Sequence, residues 1–398
     1  MIQPERITVL SSRSTAKGSY VLYWMQASQR ARQNHALEYA IREANDASLP
    51  VVVLFCLIDN YPEATLRHYA FMLEGLQETV TTLHDRGIEA VVLRGSPAAL
   101  VSRLSRQASL LVTDRGYLRH QRLWREEIAG HVDCPMVEVE TDAVVPVAHA
   151  STKAEYAAAT LRPKLGRVLL RYLVPVDERE PGASRLELDE DSTALDRPGD
   201  VDRVLRSLSV DAGVPPVAAL RGGASAAMQR LTLFLDEKLD GYAERRSDPS
   251  EDWSSHLSPY LHFGQISPLA VALAANQRRG PGAAAFLDEL VVRRELSLNY
   301  VRYNGKYDSI DALPEWARRT LDDHAADPRP YAYDRGTLEQ GRTHDVYWNA
   351  AQREMVATGS MHNYMRMYWG KKLLEWSETP SGALNTALWL NNRWQLDG

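Results

Sequence analysis

The residues best equipped for chemistry lie in the second half of the chain. The run DWSSHLSPYLHFGQISP, from Asp252 to Pro268, holds two Ser-Pro pairs, Ser258-Pro259 and Ser267-Pro268. A serine N-cap followed by proline starts a helix, and Gly264 between the pairs can close a short first one. Two such starts leave backbone N–H groups free. With the hydroxyls of Ser254, Ser255 and Ser258 they form a pocket suited to a phosphate or pyrophosphate, with simple capping as the competing reading. In MHNYMRMYW, Asn363 and Arg366 stand three apart on one helical face and can point into one pocket. Glu289 lies among Leu287, Leu290 and Val291 and beside Arg293-Arg294, which favours a pocket wall over a solvated surface. Trp369 and Trp376, seven apart, project from one side of a helix, and Trp348 belongs to the helix before it; a plain aromatic core would look the same. His262 and His362 read as structural histidines rather than acid–base groups.

Two kinds of element must hold these residues. From Tyr20 to about Glu140, short apolar runs (YVLYWM, LPVVVLFCL, IEAVVLRG, SLLVTD, PMVEVE) alternate with stretches of helical period. Strands apolar on both faces and separated by helices predict a doubly wound parallel, Rossmann-like sheet that binds something at its carboxyl edge. No GxGxxG or GxxxxGK[ST] run is present, which lowers the standing of an ordinary NAD or ATP enzyme. After Ala224 every pattern is helical, and seven of the nine tryptophans fall there. The expected division is an α/β domain over 1–176, an acidic, Pro- and Gly-bearing linker over 177–223, and an all-helical domain over 224–398.

Composition narrows the class without naming an activity. The 398 residues, 44% hydrophobic and 25% charged, are those of an ordinary globular protein with a large core. Two cysteines exclude a disulfide scaffold, and with no signal-like or membrane-spanning run the expectation is a cytoplasmic protein with no membrane partner. The net charge of -6 argues against a nucleic-acid partner only superficially, because Asp177 to Asp202 alone carries ten acids against three arginines. A basic face elsewhere remains compatible with the rest of the sequence.

These segments carry a resemblance. SSHLSPYLHFGQIS resembles the flavin-phosphate segment of the photolyase/cryptochrome family, and YWNAAQREMVATGSMHNYMRMYWGKKLLEW is similar to its class II cyclobutane pyrimidine dimer photolyases. YWMQASQRARQNHALEYA, YAFMLEGL and STKAEYAAATLRPKL look like the same class, in the same order, over nearly the whole chain. The resemblance implies light-driven repair of UV-damaged DNA: reduced FAD passes an electron to a flipped-out dimer and recovers it once the ring opens, with no metal. It implies a pyrophosphate side formed by Tyr242, Ser254, Ser255, Leu257 and Ser258, and a ring side formed by Asn363, Arg366 paired with Asp397, and Asn391. Glu289, Met367 and Arg293 would meet the lesion-bearing DNA, and Trp348, Trp369 and Trp376 would carry electrons from the surface to FAD. A deazaflavin or folate antenna is implied for the sheet domain, and a monomer is the expected state. Members continue past the LDG at 396 to 398 into a segment with a tryptophan that packs on the dimer, so the resemblance implies either a truncated, repair-impaired chain or one that lacks a wall of the lesion pocket. A cryptochrome-like photoreceptor and a flavin-free scaffold are the alternatives.

Overall fold

The computed structural model describes residues 2–13, 18–59, 61–195 and 197–397; Asp196 of the acidic run and the chain end at Gly398 lie outside the described residues. Six strands form one sheet: β1 (Ile7–Ser11), β2 (Tyr20–Met25), β3 (Val51–Leu57), β4 (Glu89–Arg94), β5 (Ala108–Asp114) and β6 (Met136–Val139). Their order is β1-β6-β5-β2-β3-β4. The five strands from β2 onward pair in parallel, as their apolar runs predict, and β2 and β3 are buried along their whole length. β1 pairs antiparallel to β6, so the sheet is mixed rather than wholly parallel. The sequence hides β1 because ITVLS is a half-exposed edge strand without a continuous apolar run.

The chain leaves β2 toward β3 on one side and returns to β5 on the other, which places a switch point between β2 and β5. There the backbone N–H groups of Gln26, Ala27 and Ser28 all donate to the Asp114 carboxylate, at 2.7, 2.6 and 2.8 Å, and the Tyr23 hydroxyl adds a fourth bond at 3.0 Å. Burial pushes the Asp114 carboxyl upward and these donors oppose it. The cradle that receives a phosphate in dinucleotide-binding sheets is filled here by a side chain of the same sheet.

The acidic segment is not the loose linker its composition predicts. It contains a helix, Asp200–Ser207, and lays Leu195, Val204 and Val214 into the interior. Arg103–Glu190 (2.8 Å), Arg32–Glu178 (3.0 Å) and Arg185–Glu89 (2.5 Å) tie it down, and the Thr193 N–H donates to the Val92 carbonyl at 2.7 Å. Apolar residues spaced among the acids, not overall polarity, decide its packing.

From Ala224 to Trp394 the described elements are all helical, with π-helical turns at Phe234–Lys238 and Asp288–Arg293. The two halves are bolted together by buried polar groups. Glu295 of the helix Arg294–Tyr303 accepts the N–H groups of Val144 (2.6 Å) and Val145 (3.1 Å). At the start of the helix Leu66–Asp85, the Arg67 guanidinium donates to the carbonyls of Val356 and Trp394, each at 2.7 Å.

Candidate cofactor site and tryptophan row

A cavity of about 400 Å³ opens in the helical half, and eight residues singled out from the sequence line it: Tyr242, Ser254, Ser255, Leu257, Ser258, Asn363, Arg366 and Asp397. Four separate stretches of chain supply them, the last being Asp397 at the end of the described chain. Tyr242 starts a short helix and is buried against Phe234 and Phe286, with the Arg246 guanidinium over its ring at 5.5 Å. Burial pushes its hydroxyl pKa up, so it enters the cavity as a neutral donor. The Ser254-to-Ser258 loop turns at His256, whose φ of 53° is left-handed and whose ring meets Asp252 at 2.6 Å. Leu257, not Ser258, takes the cap position of the helix Ser258–His262, so the Ser258 hydroxyl is not consumed as an N-cap. Ser267 behaves as predicted, accepting the Ala270 N–H at 3.3 Å, but it is buried away from the cavity.

The third stretch is the helix Asn363–Trp376, whose periodicity brings Asn363 and Arg366 to the same wall. Arg366 Nη2 donates to Asp397 Oδ1 at 3.0 Å and to Gln395 Oε1. His362 is the N-cap of this helix, its Nδ1 accepting the Tyr364 N–H at 3.3 Å, which leaves the proton on Nε2. His362 also lines the cavity, and sequence reasoning had set it aside as a satisfied structural residue. Its Nε2 and the Arg366 Nε are both buried without a partner among the described residues. The serine hydroxyls, the Asn363 amide, the Arg366 guanidinium and the Tyr242 hydroxyl among the cavity-lining residues match a ligand rich in acceptors, as a dinucleotide is. That donor set is the fit of these residues to FAD.

The other expected residues divide. Asn391, on the helix Pro380–Trp394, is not among the cavity-lining residues; its Nδ2 donates to Asn392 at 3.2 Å, and Asn392 reaches Glu63. Glu289 is ion-paired with Arg246, the same arginine that covers Tyr242, so it stands next to the cavity rather than in it. Arg293 is exposed and loosely paired with Asp288 at 3.7 Å, and Met367 is exposed beside Arg366.

Trp348, Trp369 and Trp376 are all buried and touch in a row with Trp348 in the middle. The Trp348 and Trp369 rings are stacked with centroids 6.2 Å apart and planes 4° from parallel, and Trp348 meets Trp376 edge-on at 5.4 Å. Trp369 Nε1 donates to Gln352 Oε1 at 2.9 Å and Trp348 Nε1 to the Trp369 carbonyl at 3.1 Å, which fixes both rings. Trp369 lies three residues beyond Arg366 on the same helix, so the row starts behind the cavity-lining arginine rather than in the lining itself. Gln352, like Gln395, carries no motif that could have flagged it.

A second cavity, of about 160 Å³, sits at the carboxyl ends of β2 and β3, lined by Trp24, Met25, Phe55, Met72 and Trp124 and closed by His68 and His262. It lies where the sheet topology predicts a ligand. Among the described residues no helix is long and apolar enough to cross a membrane.

The DNA photolyase family model matches residues 21–182. The deoxyribodipyrimidine photo-lyase of Methanothermobacter thermautotrophicus is 48% identical over all of this chain and 87% of its own length. Those of Arabidopsis thaliana and Potorous tridactylus are 38% and 36% identical, covering 100% and 95% of this chain and 83% and 71% of their own. A class III photolyase structure from Agrobacterium tumefaciens superimposes with a TM-score of 0.70 at 19% identity, over 98% of this chain and 81% of that one. A Synechocystis cryptochrome gives 0.69 at 15%, over 96% and 83%, so the fold is common to a photolyase and a cryptochrome. On its identity to these relatives over nearly its whole length, and with the sheet and the helical half in place, the chain belongs to the photolyase/cryptochrome family.

Proposed function

We propose that this chain is a class II deoxyribodipyrimidine photo-lyase that binds FAD in the helical cavity and splits cyclobutane pyrimidine dimers in UV-damaged DNA under light. The observation that carries the reading is the convergence of eight residues from four stretches of chain on one cavity lined by serine hydroxyls and a guanidinium. Bound reduced FAD supplies the photoexcited electron that opens the cyclobutane ring and accepts it back afterwards. The chain's own residues bind, orient and tune. Ser254, Ser255, Ser258 and Tyr242 offer neutral donors to the pyrophosphate side, while Arg366, anchored by Asp397, sets a positive charge where an anionic ring system would be stabilised. Glu289, released from or shared with Arg246, offers a carboxylate to the lesion's polar edge, and exposed Met367 and Arg293 offer an apolar wedge and a phosphate contact. The row Trp369, Trp348, Trp376 leads electrons inward to the cavity wall.

The smaller cavity on the sheet supports an antenna chromophore. Its apolar and aromatic lining suits a flat ring system, and the Asp114-filled cradle leaves no phosphate seat beside it. A deazaflavin fits this better than a second dinucleotide. The reading includes a monomer acting in the cytoplasm. An absorption spectrum of the purified chain, followed by blue-light treatment of dimer-containing DNA under reducing conditions, tests it. Flavin bands with light-dependent loss of dimers are expected; flavin without repair would make the chain a photoreceptor, and absence of flavin would leave only the fold.

A further inference from the structure

Arg366 is held by more than its carboxylate. The Nη2 that donates to Asp397 at 3.0 Å also donates to Gln395 Oε1. Gln395 is 1% exposed and does not line the cavity, so its amide acts there only through the arginine. Its backbone is pinned on both sides. The Gln395 N–H donates to the Asn391 carbonyl and the Leu396 N–H to the Gly359 carbonyl, each at 2.9 Å. The Gln395 carbonyl in turn accepts from His68 Nε2 at 2.7 Å. The His68 tautomer follows from geometry: its Nδ1 accepts the Thr65 backbone N–H at 3.0 Å, so the proton sits on Nε2. His68 belongs to the sheet half and closes the second cavity. Gln395 is therefore held from both cavities, by His68 at its backbone carbonyl and by Arg366 at its side-chain oxygen.

An amide oxygen at this point does something a carboxylate would not. It fixes the guanidinium with a directed hydrogen bond and adds no charge, whereas a glutamate would set a second anion beside Asp397 and cancel the field of the arginine. We propose that Gln395 is a positioning residue that holds Arg366 on the cavity wall while leaving its positive charge only singly compensated, and so biases a flavin in the cavity toward its anionic reduced form. This rests on the FAD reading above.

The test compares wild-type holoprotein with Q395E and Q395L, measuring flavin content, the reduction equilibrium of the bound flavin against a reference dye under anaerobic conditions, and the rate of flavin release. Q395E should keep its flavin and shift the equilibrium about tenfold toward the oxidised form, about 30 mV for a two-electron couple. Q395L, neutral but without an acceptor, should shift it less than threefold and release flavin several times faster. A Q395E holoprotein with the wild-type equilibrium overturns the proposal, including the case in which flavin content falls but the remaining holoprotein titrates normally, since Gln395 would then be packing alone. If Q395E does not fold, Q395L decides, and an unchanged release rate overturns the proposal. A wild-type chain that takes up no flavin overturns the FAD reading as well, which separates the two failures.

Discussion

The molecule has two places built to hold an anion, and they have opposite fates. At the switch point of the sheet, three backbone N–H groups and a tyrosine hydroxyl converge on Asp114, and every donor is used. In the helical half, the side chains of His362 and Arg366 line an open cavity, and their Nε2 and Nε atoms have no partner among the described residues. The first is the traditional ligand position of the fold and is closed by the protein's own carboxylate; the second follows from no general rule of sheet topology and is open. Where a fold usually binds is thus a weaker guide than where its donors are left unsatisfied.

Removing Asp114 should have the largest effect on this contrast. Asp114→Ala leaves three N–H groups without their acceptor and should cost about 3–5 kcal/mol in urea unfolding. If the first place is purely structural, added phosphate will not restore that stability, and substantial rescue would show that the cradle still accepts a free anion. Trp369→Phe is next, because it breaks the row beside the cavity. Light-driven reduction of oxidised flavin should fall at least a hundredfold, while repair by chemically reduced protein is retained; normal photoreduction would remove the row from the mechanism. Glu289→Ala should lower the repair yield about tenfold with flavin content unchanged, measured as dimers lost per absorbed photon.

A further test concerns the second cradled carboxyl, Glu295. Burial raises its pKa to about 8 from an ordinary 4.5, against the opposing pull of the Val144 and Val145 N–H groups. The folded chain therefore keeps a proton that the unfolded chain has lost between these values. The resulting stability is whole below about pH 4.5 and declines as pH rises toward 8, by at most ~1.4 kcal/mol per unit. Urea midpoints measured across that range should fall for the wild type, and the Glu295→Gln variant should lose this component of the slope.

Much of this was legible in the residues. The five parallel strands follow from continuous apolar runs, and the Asn363–Arg366 spacing put both side chains on one wall because helical period is a local property. What the sequence concealed depends on partners far along the chain. β1 becomes a strand only through β6, and the acidic segment packs because its few apolar residues find the sheet layers. Ser258 resembles an N-cap until the turn at His256 moves the cap to Leu257. Trp348 lies between two tryptophans that follow it in sequence, an order that requires two helices to be packed before it exists. Gln395 and His362 matter for whom they meet, and no spacing rule announces that.

The grip of Arg67 and His68 on the carbonyls of Val356, Trp394 and Gln395 also bears on how divisible this protein is. The start of one helix in the sheet half closes the ends of two helices in the other, across separations of 289 to 327 positions. A fragment beginning near Ala224 would carry every residue that lines the cavity and still leave those carbonyls without donors. The two halves are separate in composition but behave as one unit in assembly, and shuffling the helical half onto another sheet would require this small set of donors to travel with it.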